Sequence, residues 1–268
     1  VRRMGSLGNR IQGRLFRLRL LEHGDIAGHC HAQLVGGGPA CGPHDVHEPA
    51  ILAGIAVLEV DLRVPIHDGL RGGQGALAVE CREDDPVREL LAQLDDADTR
   101  ALWPHAFAAE MSISIGGGRL DMELEIANTG DAPFSFTAAL HTYLKVREVE
   151  SLRIEGLRGL DYTDTADGGT LKKETGVGVM VDDEIDRIYH QAPATILVRE
   201  DDRSMGIHAE NFPDVVVWNP WEDKCAALAD MPADGFRRML CVEAAAVREP
   251  VELAPGASWW GRQSLVAM

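Results

Sequence analysis

The chain has 268 residues, of which 45% are hydrophobic and 26% are charged, and its formal net charge at pH 7 is −17. A chain of this length can bury a core as one large domain or as two small ones. Its negative charge argues against non-specific nucleic-acid binding, because a phosphate backbone attracts basic surfaces. No apolar run approaches the roughly 20 residues of a membrane helix, so we expect neither nucleic acid nor a membrane as a partner.

The cysteines are odd in number and scattered along the chain, and no two of them form a CxxC pair. They occupy positions 30, 41, 81, 225 and 241. This pattern favours a reducing compartment over a disulfide framework. The start of the chain contains arginines but no clear apolar core followed by a small-residue cleavage site, so we expect no export signal. We therefore predict a cytoplasmic protein.

The first segment of the chain differs in composition from the rest. Only Phe16 among the Phe, Trp and Tyr residues precedes Trp103, whereas most of the histidines lie before residue 70. We therefore divide the chain into an atypical amino-terminal segment, residues 1–76, and a domain over residues 77–268. In the first segment LFRLRLLEHGD fits a short strand or a helix, and ILAGIAVLEVDLRVPI predicts a buried strand.

A group of potential metal ligands lies in the same segment, in the stretch GHCHAQLVGGGPACGPHDVHEP. The ligands are His29, Cys30, His31, Cys41, His44 and His47. Their spacing matches no standard zinc finger or ribbon, and a local bias in composition explains the group equally well. We predict no metal site and no cofactor, and a metal-binding protein is the alternative that this group leaves open.

Short strands dominate the chain from Leu77 onward. AEMSISI and RLDMELEIAN flank Gly116-Gly117-Gly118, which predicts a hairpin. PVRELLAQL has helical spacing and fits a strand as well, while CAALADMP is the clearest helix candidate. Further strands are predicted in SLRIEGL, GVGVMV, RIYHQA, TILVRE, SMGIHA, VVVWNPW, RRMLCVEAAAV and ASWWGRQSLVAM. The pattern predicts an all-β fold, a sandwich or a barrel.

The stretch Pro133–Val146, PFSFTAALHTYLKV, reads as one long strand with two unlike faces. The residues at every second position from Phe134 onward are nearly all apolar, and the residues between them include His141, Tyr143 and Lys145. Side chains alternate across a strand, so the apolar set should face a core. The other set can bind a small polar ligand, and an imidazole can transfer protons near neutral pH. A solvated polar face is the alternative, because antiparallel sheets are often wet on one side.

A second strand, RRMLCVEAAAV, is apolar on both faces except at Glu243. A strand buried on both sides rarely contains a carboxylate unless that carboxylate is paired or functional. Glu243 is therefore a candidate proton acceptor. The alternative is a structural glutamate that binds an arginine or backbone amides.

Two further stretches combine polar groups with apolar or aromatic ones. VVVWNPWEDKCAALADM contains Asn219, Trp221 and Lys224, and a tryptophan beside an amide can stack on a sugar and hydrogen-bond to it. Packing in the core is the alternative for the tryptophans. EIDRIYHQ places Asp186 and Arg187 before an apolar pair, where a solvated turn is the alternative.

Five segments together resemble a known family. They are, in order, ALHTYLKV, EGLRGLDYTD, DEIDRIYH, VVWNPWEDKCAALADMPADGFRRMLCVEAAAV and LAPGASWWGRQSL. They look like the glucose-6-phosphate 1-epimerases, the hexose-6-phosphate mutarotases of the aldose 1-epimerase superfamily. The likeness is strongest over residues 133–268 and reaches back to about Leu77. It implies a large antiparallel β-sandwich of the galactose-mutarotase type and a metal-free interconversion of the α and β anomers of glucose 6-phosphate through the open-chain aldehyde.

The resemblance also implies roles for individual residues. The family's catalytic histidine falls on His141, its catalytic glutamate on Glu243, and a sugar-binding aspartate on Asp186. The residue pattern adds further substrate-binding candidates, which are Tyr143, Arg187, Asn219, Trp221, Lys224 and Arg71. We expect a monomer whose partner is a small hexose 6-phosphate.

The phosphate grip is where the chain departs from the family. Family members hold the phosphate with arginines, and Leu70-Arg71-Gly72-Gly73 echoes only the first of the three segments involved. The family's Pro-Trp-Phe-Gly and His-Gly-Phe-Ala-Arg segments are absent from the sequence. A catalytically impaired sugar-phosphate-binding protein on the same fold is therefore the alternative function.

Overall fold

The computed structural model describes residues 103–228 and 231–268 with their side chains, together with Arg100 and the backbone of four earlier strands. The four strands are β1 (Leu15–Leu20), β2 (Ala56–Asp61), β3 (Ala76–Leu77) and β4 (Val87–Leu94). LFRLRL and VRELLAQL are thus strands, although each sequence is also compatible with a helix. The histidine and cysteine group of residues 29–47, and Arg71, lie outside the described residues.

Strands continue to dominate the remainder of the described chain. They are β5 (Phe107–Gly116), β6 (Arg119–Asn128), β7 (Phe134–Leu140), β8 (Thr142–Lys145), β9 (Arg153–Glu155), β10 (Asp161–Asp164), β11 (Thr170–Lys173), β12 (Ile185–Tyr189), β13 (Thr195–Arg199), β14 (Ser204–Glu210), β15 (Asp214–Asn219), β16 (Met239–Leu253) and β17 (Ser258–Ala267). One α-helix, α1 (Trp221–Ala227), and two 3-10 turns (Val149–Ser151 and Gly235–Arg238) lie between them in this part of the chain. None of its helices is long and apolar enough to cross a membrane.

Two local predictions need correction. The helix α1 begins at Trp221, four residues before the predicted segment CAALADMP, and ends inside it. The predicted strand GVGVMV forms only an isolated bridge between Val179 and Ile154. Alternating glycines weaken a strand, because glycine loses more backbone entropy on folding than other residues and has no side chain to pack.

The described strands form two sheets. The first has the order β11-β10-β12-β15-β16-β8-β2-β1-β3, with β7 also paired to β16, and the second has the order β4-β5-β6-β17-β14-β13-β9. Every pair among them is antiparallel except β2 with β8. Because β2 and β8 belong to the two predicted segments, strands from both segments share one sheet. The division at residue 76 remains a prediction.

The core lies between the two sheets. The first sheet contributes Leu240 and Val242 from β16, and the second contributes Leu120 and Met122 from β6, all of which are at most 1% exposed. The side-chain amide of Gln263, on β17, donates to the backbone carbonyl of Val242 across the interface at 2.9 Å. The predicted all-β sandwich is therefore confirmed.

The hairpin β5–β6 fits its sequence closely. Gly117 and Gly118 form its turn with φ values of +57° and +77°, a backbone that glycine adopts without strain. Along β6, Leu120, Met122 and the apolar residues that follow them at every second position are buried, as the alternation predicts. This hairpin is in the sheet opposite the site described below, and it closes the core beneath that site.

The stretch Pro133–Val146 is not one strand, contrary to the prediction. β7 ends at Leu140, β8 begins at Thr142, and His141 belongs to neither. Next to the break, both strands nevertheless pair with β16 in one register, because Ala244 lies opposite Leu140 and Cys241 lies opposite Tyr143. The predicted alternation of faces therefore continues across the break.

Candidate active site

His141 and Glu243 meet on the face of the first sheet that points away from the core. Nδ1 of His141 lies 2.8 Å from Oε1 of Glu243, and the two side chains are only 11% and 8% exposed. A carboxylate this buried needs a partner, since removing its charge from water is unfavourable. The imidazole of His141 lies at ion-pair distance from it, but its Nδ1 makes no hydrogen bond there.

The register of β16 brings the two groups together. Counting inward from the paired residues on each side of the break, His141 falls directly opposite Glu243. Tyr143 lies two residues after His141, and Cys241 lies two residues before Glu243. Both side chains project to the same face as the pair, because side chains alternate along strands. Val242, between the two site residues of β16, points into the core and is fully buried. The alternation thus separates a reactive face from an apolar one.

Aromatic rings surround the histidine. The ring of Tyr143 stacks on His141 with centroids 4.8 Å apart, and the ring of Trp218 meets it edge-on at 5.7 Å. Trp218 also lies opposite Cys241 in the pairing of β15 with β16, and both pack with Met239 in a small buried cluster. We call this surface the site face, and its members are His141, Tyr143, Asp186, Trp218, Cys241 and Glu243.

Asp186 completes the site face from β12. It is buried and lies opposite Trp218 in the pairing of β12 with β15. Burial, reinforced by the negative charge of Glu243, raises the pKa of Asp186 from 3.8 to about 6, although the positive charges of Lys224 and His141 act in the other direction. Trp218 separates Asp186 from Cys241 in the sheet, so Asp186 lies two strands from β16. With this pKa, Asp186 can exchange a hydrogen-bonding proton near neutral pH.

We expect Asp186→Asn to change the stability of the protein, relative to the wild type, more favourably at pH 8 than at pH 4. The pKa of Asp186 is higher in the folded protein than in the unfolded chain, so protonation of this carboxyl stabilises the fold. The stabilisation is complete below about pH 4 and is lost as the pH rises through about 6. The variant has no such group, so its free energy of unfolding relative to the wild type should rise by about 1–3 kcal/mol over this range. Urea unfolding at pH values from 4 to 8 measures the difference.

The matched control for this prediction is Asp182→Asn. Asp182 lies on the same approach to β12 but is exposed, so its replacement should leave the pH profile of stability parallel to that of the wild type. If Asp186→Asn also gives a parallel profile, burial of that carboxylate does not raise its pKa.

The positive charge of Lys224 acts on Asp186 and lowers the pKa of that carboxyl. Its Nζ is 2.6 Å from Oε1 of Glu184, and its side chain is 55% exposed. The structure therefore brings this predicted residue within electrostatic reach of Asp186, but it is bound to a carboxylate.

Asn219 does not offer its amide to a ligand. The side chain is fully buried, and Nδ2 donates to the carbonyl oxygens of Phe236 and Met239 at 2.8 and 2.9 Å. Its Oδ1 accepts the backbone N–H of Trp221 at 2.9 Å. Contrary to the expectation from sequence, Asn219 fastens the segment after β15 to the start of β16.

Arg187 and Trp221 also lie apart from the histidine–glutamate pair. Arg187 follows Asp186 on the strand, so it points to the opposite side of the sheet, where its Nη1 is 3.3 Å from Oε2 of Glu174. Trp221 packs on Phe236 with ring centroids 5.0 Å apart. Alternation explains the placement of Arg187, which the reading of single motifs overlooked.

Sequence reasoning did not select Trp218 and Cys241 as site residues. Cys241 could have been found, because it lies two residues before Glu243 on the same strand and so shares its face. Trp218 gave no such signal, since only the pairing of β15 with β16 brings it beside Cys241. Trp218 contacts His141, and Cys241 lies opposite Trp218.

Comparison with known proteins finds one family and several similar proteins. The family model described as aldose 1-epimerase matches residues 65–265. The chain is 37% identical over 172 residues to a protein of Cenchrus ciliaris named "putative glucose-6-phosphate 1-epimerase". It is 28% identical over 214 residues to a protein of the same name from Salmonella typhimurium. The matches cover 62% and 78% of this chain, but only 52% and 66% of those relatives.

Solved structures show the same fold. A mutarotase-like protein from Salmonella typhimurium has a TM-score of 0.64 at 24% identity, and the match covers 70% of this chain and 62% of that one. A galactose mutarotase related enzyme from Lactobacillus acidophilus has a TM-score of 0.56 at 14% identity, with 70% of both chains covered. The sandwich is thus of the galactose-mutarotase type, as expected from the sequence.

Proposed function

The chain belongs to the aldose 1-epimerase family, and from this premise we propose that it interconverts the α and β anomers of D-glucose 6-phosphate. The relatives that are named as glucose-6-phosphate 1-epimerases support the choice of sugar. The chain spans only about half to two thirds of their length, so its own activity and substrate form part of the proposal.

The reaction needs a base and an acid that act on two oxygens of one carbon. Glu243 takes the proton of the C1 hydroxyl while His141 gives a proton to the ring oxygen, which opens the ring to the aldehyde. After rotation about the C1–C2 bond the two groups exchange roles and the ring closes on the other face of the carbonyl. Each proton transfer of this kind is typically worth about 10²–10⁴-fold in rate.

The observation that carries this proposal is the 2.8 Å separation between Nδ1 of His141 and Oε1 of Glu243. Both target oxygens are bonded to C1, so an acid and a base that serve them must lie within a few ångströms of each other. With Nδ1 against the carboxylate, Nε2 is the nitrogen that meets the ring oxygen. Tyr143 and Trp218 enclose the ring of His141, and Asp186 offers a hydrogen bond to a sugar hydroxyl.

Freshly dissolved α-D-glucose 6-phosphate provides the test. The optical rotation of the solution should reach its equilibrium value faster with the 268-residue chain than without it, in proportion to the protein concentration. A rate equal to the uncatalysed one would contradict the proposal. It would favour the alternative of an impaired sugar-phosphate-binding protein.

The phosphate is expected to add little to binding. A dianion in a protein of net charge −17 needs a local clamp, usually of bidentate arginines. Among the described residues, Lys224 is a cation whose charge reaches Asp186, but it is paired with Glu184. We therefore expect calorimetric affinities for glucose 6-phosphate and glucose to agree within about tenfold.

Inorganic phosphate is the control for this comparison. It should not displace glucose 6-phosphate at concentrations close to those of the sugar. Micromolar binding that inorganic phosphate abolishes would mean that a complete clamp exists, with arginines such as Arg71 supplying it.

A further inference from the structure

The site face combines three side chains that are all metal ligands. One ring nitrogen of His141, Sγ of Cys241 and a carboxylate oxygen of Glu243 lie within 4.8 Å of one another. We propose that they bind a borderline-soft divalent ion, Zn²⁺ or a close analogue, and that the bound ion blocks the acid–base pair.

The geometry requires only small movements. A tetrahedral zinc ion with nitrogen, oxygen and sulfur ligands holds the ligand atoms about 3.3–3.6 Å apart, given bond lengths of about 2.0–2.3 Å. The ligand atoms, which lie within 4.8 Å of one another, must therefore approach by up to about 1 Å, and the 2.8 Å contact of His141 with Glu243 must open by somewhat less. Side-chain rotation accomplishes both, because Cys241 and Glu243 already project to one side of β16.

Charge favours the ion at this buried place. A thiolate, a carboxylate and a neutral imidazole together neutralise a divalent cation, so the loaded site has no net charge to desolvate. The thiol of Cys241 gives its proton to solvent as the sulfur–metal bond forms. Oxygen-seeking ions such as Mg²⁺ lack this match, because they prefer carboxylates and water to sulfur.

Inhibition follows from the choice of ligands. The ion binds the imidazole of His141 and an oxygen of Glu243, and these are the two side chains that the proposed anomerisation uses. This consequence rests on the proposed function, whereas the binding itself does not. The fourth coordination position remains open to water or to a sugar hydroxyl.

Titration with Co²⁺, the spectroscopic substitute for zinc, tests the binding directly. The wild-type chain should develop a thiolate-to-cobalt charge-transfer band that Zn²⁺ abolishes and Mg²⁺ leaves intact. Cys241→Ser should lose the band. Cys225→Ser is the matched control, since Cys225 is the other described buried cysteine and lies outside the site, and it should retain the band.

The amino-terminal cysteines need their own control, because they too can bind cobalt. The band should persist in the double variant Cys30→Ser, Cys41→Ser. A band that survives in Cys241→Ser, or that disappears in the double variant, would overturn the proposal, as would a wild-type chain without any band.

Glu243→Gln keeps the test decisive if Cys241→Ser does not fold. A carboxamide is a poor zinc ligand, so the variant should bind Co²⁺ at least about tenfold more weakly than the wild type. An unchanged affinity contradicts the site. A protein that binds Co²⁺ as expected but never anomerises the sugar would refute the proposed function alone.

Discussion

Glu243→Gln is expected to lower the protein-catalysed rate of glucose 6-phosphate anomerisation by about 10²–10⁴-fold. The amide is nearly isosteric with the carboxylate, but it is not a base and cannot receive the C1 hydroxyl proton. His141 would keep its place in the site, because its ring is also held by Tyr143 and Trp218. Polarimetry at equal protein concentrations measures the loss relative to the uncatalysed rate.

The matched control for this variant is Glu252→Gln. Glu252 lies on the same strand, β16, but is exposed, so its replacement should leave the rate within experimental error. Unfolding curves for both variants distinguish lost chemistry from lost structure. Wild-type activity in a folded Glu243→Gln protein would remove Glu243 from the mechanism.

The largest effect on stability is expected from Asn219→Ala. The change removes three hydrogen bonds from a fully buried side chain, and it leaves two carbonyl groups and one N–H without a partner. Each buried unsatisfied group costs about 1–3 kcal/mol, so the free energy of unfolding should fall by about 3–5 kcal/mol. Urea unfolding at pH 7 measures the change.

Trp221 adds to this expectation. Its φ of +57° is strained for a bulky residue, and the bond from its N–H to Asn219 helps to hold that conformation. Asn211→Gly is the control, because Asn211 is exposed and its φ of +58° suits glycine. It should change the stability little. Equal losses in the two variants would mean that the buried amide bonds do not stabilise the protein.

The period of two along strands is what made the fold and the pair predictable. The alternation in β7 and β8 placed His141 on the face opposite the core, and the one charged residue in an apolar stretch identified Glu243. Both conclusions needed only the geometry of a single strand. The break at His141 did not disturb them, since the register on β16 continues across it.

Pairing between distant strands could not be predicted from the alternation along a single strand. Trp218 reaches the site only because β15 lies beside β16, and Asp186 only because β12 lies beside β15. The sequence also cannot show how a polar side chain uses its hydrogen bonds. Asn219 looks like a sugar ligand next to a tryptophan, but its donors are taken by carbonyl groups 17 and 20 residues farther along the chain.

The shared register on β16 limits how this site can change in length. Inserting or deleting one residue between Cys241 and Glu243 would turn the glutamate to the core face, because side chains alternate along the strand. Relatives that vary the chemistry should therefore differ here by substitution alone. Gains and losses of residues should collect between Pro220 and Arg238, where the chain leaves the sheet and length does not affect which side of the sheet a residue faces.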